Sequence, residues 1–138
     1  AAIALLGLKL MALADLPQGR VWALMAVAGW GRWGQVVAIA RYPYLKPEGK
    51  GAFHKAHAHP RVDWIVGWVA LMGLSGAMIT LGHLSWMLAG GTAFGGMGLA
   101  LGAGAWFHRQ LGGHTGDTYG AVVEWTEALL LCLITALA

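Results

Sequence analysis

At 138 residues, with 58% hydrophobic and 11% charged side chains, the chain lies far below the roughly 25% charge of a soluble domain. It is too apolar to cover itself with polar surface in water and long enough for one domain at most, so composition predicts a single all-α domain embedded in lipid. A net charge of +3 gives no nucleic-acid footprint, and a lone cysteine, Cys132, excludes an internal disulfide and a thiolate metal framework.

The predicted elements are apolar runs, and about 20 such residues at 1.5 Å rise span a bilayer core of ~30 Å. The first runs from Ala1 to about Asp15, short enough to be a truncated span. Ala1 is not methionine, and the apolar stretch has neither a basic region before it nor a cleavage site after it. It therefore reads as a point inside a longer chain, not as a signal peptide. Leu16-Pro17-Gln18-Gly19 is a tight turn. The second span covers Val21–Ala40, the third about Trp64–Leu81, the fourth about Met87–Phe107 and the fifth Tyr119–Ala138. The runs are long and unbroken rather than alternating, which argues against strands. About five spans in a polytopic helix bundle is the expected architecture.

Two polar loops remain, Arg41–Asp63 and His108–Thr118. The first carries Arg41, Lys46, Lys50, Lys55 and Arg61 against Glu48 and Asp63, so the positive-inside rule places it in the cytoplasm. Two spans then return the second loop, with Arg109, to the same side. Arg20 in the opposite turn is a weak violation. Trp22, Trp64, Trp68, Trp86 and Trp106 sit near span ends and suit an interfacial belt. The pairs Gly91/Gly95 and Gly98/Gly102, each four apart, read as helix-packing positions.

Charge inside a span is expensive, by ~2.5–3.5 kcal/mol per group on insertion scales, so Lys9, Arg32, Glu124 and Glu127 call for partners or a task. Asp117, Gly120, Glu124 and Glu127 follow at intervals of three, four and three, one stripe of a helix. An acidic line thus enters the membrane from the loop. Carboxylates without thiols suit Mg²⁺, which keeps waters and shares substrate phosphates. Two readings stay open: a metal and phosphate site, or carboxylates paired with Lys9 and Arg32. The preceding Gly112-Gly113-His114-Thr115-Gly116 allows a sharp turn and close backbone approach, with helix N–H groups facing an anion. A plain turn is the competing reading. His54, His57 and His59 fit no zinc spacing. They read as solvated or substrate-facing, and His83, His108 and His114 as interfacial or loop residues.

Arg109 to Glu127 reads RQLGGHTGDTYGAVVEWTE. It resembles the C-terminal signature of the cobalamin synthase family, adenosylcobinamide-GDP ribazoletransferases, close to R-x-L-G-G-x-T-G-D-x-x-G-A-x-x-E-x-x-E. Gly31-Arg32-Trp33, Arg41-Tyr42-Pro43-Tyr44, Glu48, Gly49, Gly51, Phe53 and Lys9 extend the resemblance over essentially the whole chain. The family's aspartate-rich H-x-D-G-x-x-D-x-x-D-G segment is absent here, so the chain is expected to be one C-terminal membrane domain holding half of the acidic site.

The resemblance implies transfer of phosphocobinamide from adenosylcobinamide-GDP to α-ribazole or its 5′-phosphate, with GMP released, in the bacterial inner membrane. It implies Mg²⁺ on Asp117, Glu124 and Glu127, and phosphate neutralisation by Arg32 and Arg109. Substrate contacts would come from Gly112, Gly113, Thr115, Gly116, Glu48 and Lys50, with Lys46, Lys55 and the loop histidines steering the anionic donor. A homo-oligomer and association with other cobalamin-assembly enzymes are both open. The rival readings are a CDP-alcohol-type phosphotransferase, whose D-G-x-x-A-R signature is missing, a transporter or ion-path fragment, and a structural subunit.

Overall fold

The computed structural model describes residues 2–45 and 62–138. Glu48 and Lys50, like Lys46, Lys55, His54, His57 and His59, lie outside the described residues. Among the described residues five helices form: α1 Ala2–Asp15, α2 Arg20–Arg41, α3 Asp63–Thr80, α4 Trp86–Leu111 and α5 Gly116–Leu137. Among the described residues there is no strand, only a parallel β-bridge between Tyr44 and His114. Of the described helices three, α3, α4 and α5, are long and apolar enough to cross a membrane. α1 has 14 residues; α2 has 22 but carries Arg20, Arg32, Gln35 and Arg41.

The ends near the glycine-rich turn shift for local reasons. α4 continues past the expected Phe107 to Leu111, where Gly112 (φ 77°) takes the left-handed conformation that closes a helix, its N–H donating to His108 O at 2.7 Å. His108 and Arg109 thereby fall in the last turn, where cations suit the helix dipole. α5 starts before the expected Tyr119, because Thr115 and Thr118 cap each other's backbone N–H groups. The loop expected over 108–118 contracts to 112–115, and Asp117 moves into the first turn of α5.

α2, α4 and α5 pack on one another, α1 lies along α5, and α3 leans on α2 and α4. Trp30 anchors this core at 1% exposure, edge-to-face with Trp33 at 5.4 Å and in a cluster with Ala93, Ala100, Leu130, Leu131 and Ile134. The indole fits because Gly96 has no side chain; a Cβ there would lie 2.5 Å from Trp30 Cγ. Gly91 and Gly95 likewise abut Leu137 and Leu133, as their spacing predicts. Gly98 and Gly102 do not: they meet nothing within 4 Å.

α3 has no buried residue. It is held in part by Trp33 Nε1, which donates to Trp64 O at 2.9 Å, and by Trp68 against Met97. Trp86 and Trp106 stay exposed on α4, whereas Trp22 and Trp68 lean on the core. Arg20, the misplaced charge of the orientation count, donates to Leu13 O (3.0 Å) and Ala14 O (3.2 Å) and so caps α1.

Candidate functional site

The turn between α4 and α5 is fastened on three sides. Gly113 packs so closely on the segment after α2 that a Cβ would lie 2.7 Å from Pro43 O. Beside it, His114 N–H donates to Pro43 O and Leu45 N–H donates to His114 O, both at 2.8 Å. The third fastening is the His114 ring, which is fully buried. Its Nε2 lies 3.0 Å from Gly104 O and its Nδ1 3.1 Å from Thr118 Oγ1. A carbonyl oxygen only accepts, so Nε2 carries the proton. Burial, aided by nearby His108, holds His114 below the ordinary imidazole range.

Aromatic rings surround it. Tyr42 stacks on His108 at 4.6 Å, His114 on Tyr119 at 5.4 Å, and Tyr119 on Tyr44 at 5.8 Å. Tyr119 Oη and His108 Nδ1 are buried without a hydrogen-bond partner among the described residues. The result is a fixed turn presenting open Gly112 and Gly116, half-buried Thr115, and exposed Asp117 and Arg109 at one end of the bundle. The first turn of α5 points N–H groups the same way, a natural seat for an anion.

Deeper on the same helix the acidic stripe meets a cation. Lys9 Nζ of α1 donates to Glu124 Oε2 at 2.6 Å and to Glu127 Oε2 at 2.7 Å. The structure pairs both glutamates with Lys9, one of the two cations that the sequence offered them. Arg32 does not join them; it is exposed, with a long 3.4 Å contact to Gln35 Oε1 on its own helix. Its neighbour Gly31 does press against Glu127, at 3.0 Å from Cγ to an added Cβ. Asp117 lies ~10 Å up the axis from Glu124 by helical rise. Among the described residues no three His, Cys, Asp or Glu side chains come together as a metal group. Among the described residues the carboxylate at this turn is that of exposed Asp117, and a lone carboxylate suits Mg²⁺, which is commonly held by one or two carboxylates plus substrate phosphates.

Sequence therefore placed Gly112, Gly113, Thr115, Gly116, Asp117 and Arg109 together, and the structure does so. It missed His114, Thr118 and Tyr119 as the supports of that turn. The usable signal was the Thr115-x-x-Thr118 cap spacing, which marks the helix start and so pulls His114 inward as the residue before it.

The family model described as cobalamin-5-phosphate synthase matches residues 1–135. Among curated proteins, an adenosylcobinamide-GDP ribazoletransferase of Trichormus variabilis is 50% identical over 138 residues, 99% of this chain and 54% of the relative. One from Synechococcus is 48% identical over 133 residues, 94% of this chain and 51% of the relative. One from Roseiflexus is 33% identical over 141 residues, 98% of this chain and 48% of the relative. The chain thus spans about half the length of the curated relatives it matches. No solved structure matches it. With nearly its whole length matched, and the glycine-rich turn, its acid and its arginine held together at a helix start, the chain belongs to the cobalamin-5-phosphate synthase family.

Proposed function

We propose that the full-length protein is an adenosylcobinamide-GDP ribazoletransferase of the bacterial inner membrane, with the 112–117 turn on the cytoplasmic face. A ribose hydroxyl of α-ribazole or its 5′-phosphate forms a new P–O bond to the phosphorus carried by cobinamide. The diphosphate bridge P–O bond breaks, GMP leaves with the electron pair, and the hydroxyl proton passes to solvent. Adenosylcobalamin or its phosphate is the product.

Such transfer depends mainly on positioning and charge neutralisation. The observation that carries the reading is the clamped Gly112–Asp117 turn at the head of α5, with Arg109 one helix end away. Its glycines admit phosphate oxygens to the backbone, and the first-turn N–H groups face them. Arg109 and Arg32 balance charge as it moves to the leaving group. Asp117 is the residue here that would hold Mg²⁺, which when bound neutralises diphosphate charge. Lys9 keeps Glu124 and Glu127 fixed beneath.

The test is turnover by the full-length protein in membranes, supplied with adenosylcobinamide-GDP, α-ribazole phosphate and Mg²⁺. Wild type should release GMP; Asp117→Asn should insert normally and release none. Undiminished turnover by Asp117→Asn would refute the metal assignment, and a silent wild type would refute the activity.

A further inference from the structure

We infer that His114 is a positioning residue: by bonding the Gly104 carbonyl and Thr118 it locks the 112–117 turn, and so sets where Asp117 and the first amides of α5 meet a diphosphate. This rests on the function proposed above.

Three observations converge. The imidazole is fully buried although it sits in a four-residue turn between helices. Each ring nitrogen has a partner in a different element: Gly104 O in α4 and Thr118 Oγ1 in α5. Its own backbone N–H and C=O bind the 43–45 segment, a third element. Thr118 is also half of the cap on α5, accepting from Thr115 N–H at 2.7 Å. A shift of the ring therefore moves the cap, and Asp117 lies between the two capping threonines. Loosening would be felt at the phosphate seat before the bundle, whose Trp30-centred core is separate from the cluster containing Tyr119.

Two substitutions separate positioning from filling. His114→Gln keeps a donor near the Nε2 position but no ring. His114→Phe keeps the ring among Tyr42 and Tyr119 but neither hydrogen bond. Both are read in the full-length protein by GMP release and by hydrogen exchange of the peptides covering 112–118 and Leu45. Positioning predicts that Phe loses ten- to a hundred-fold in kcat/KM for the GDP-bearing donor. It also predicts exchange at least tenfold faster in those peptides, with Gln within about fivefold of wild type on both measures, the range expected for orphaning or keeping a buried hydrogen bond. If Phe matches wild type, or if Gln falls as far as Phe, the inference is overturned. Wild type silent in turnover would instead remove the proposed function, while the exchange contrast would still decide the lock.

Discussion

Replacing Lys9 with methionine removes the cation that two carboxylates share and leaves them one helical turn apart, like charges on one face. The size of the effect follows from exposure. The Lys9 and Glu127 side chains are each 19% exposed, whereas that of Glu124 is 52% exposed. Removing one partner of a fully buried pair costs about 3–5 kcal/mol, and an exposed pair contributes less than about 1 kcal/mol. With one arm mostly covered and the other half open, Lys9→Met should destabilise by about 2 kcal/mol. At 2–4 °C per kcal/mol that is a Tm fall of roughly 4–8 °C in detergent. Adding Glu127→Gln should recover part of the loss, because the more covered orphan charge disappears, whereas adding Glu124→Gln should recover less. A Lys9→Met protein as stable as wild type would show that the ion pairs do not support the bundle. Equal rescue by the two glutamine variants would refute the weighting by burial.

The tightest packing should be the least forgiving. Gly96→Ala places a methyl against the buried Trp30 indole and should lower stability by about 1–3 kcal/mol, read as Tm. Gly98→Ala, facing open space, is the matched control and should change little. Gly113→Ala should push Pro43 and Leu45 away and break the paired 2.8 Å bonds to His114, reducing GMP release more than Tm. The pH dependence has a definite sign. Because His114 holds its proton less tightly when folded than the ordinary 6.5, the unfolded chain takes up the proton first as pH falls. Stability should be full above about pH 6.5 and decline below it. Tm measured from pH 7.5 to 5 should show a shallower acid decline in His114→Gln than in wild type.

The bundle was legible because long apolar runs announce themselves. The second and third helices lie within a residue of the expected Val21–Ala40 and Trp64–Leu81. What composition alone did not locate was the head of α5. The polar residues 108–110 look like loop, yet nothing ends α4 until Gly112 turns left-handed, and Thr115 restarts the chain three residues later. The stripe of Asp117, Glu124 and Glu127 was visible from spacing, but spacing shows only which residues share a face. Lys9 is 115 residues away from Glu124 in sequence, and only packing could choose it over Arg32. The burial of His114 was hidden because a histidine among glycines resembles a solvated turn. Inside, its ring packs on Tyr42 and Tyr119, which lie on two different segments.

The bond between α1 and α5 also bears on how the chain is built. Synthesis delivers Lys9 115 residues before Glu124, so the ammonium is made long before either of these two partners exists. The glutamates arrive in α5, the last of the described helices. The charges of the two helices are matched to one another, so their pairing is complete only when α5 meets α1. The two α1–α5 ion pairs would then form only after residue 127 has been made, joining segments that lie far apart in the sequence.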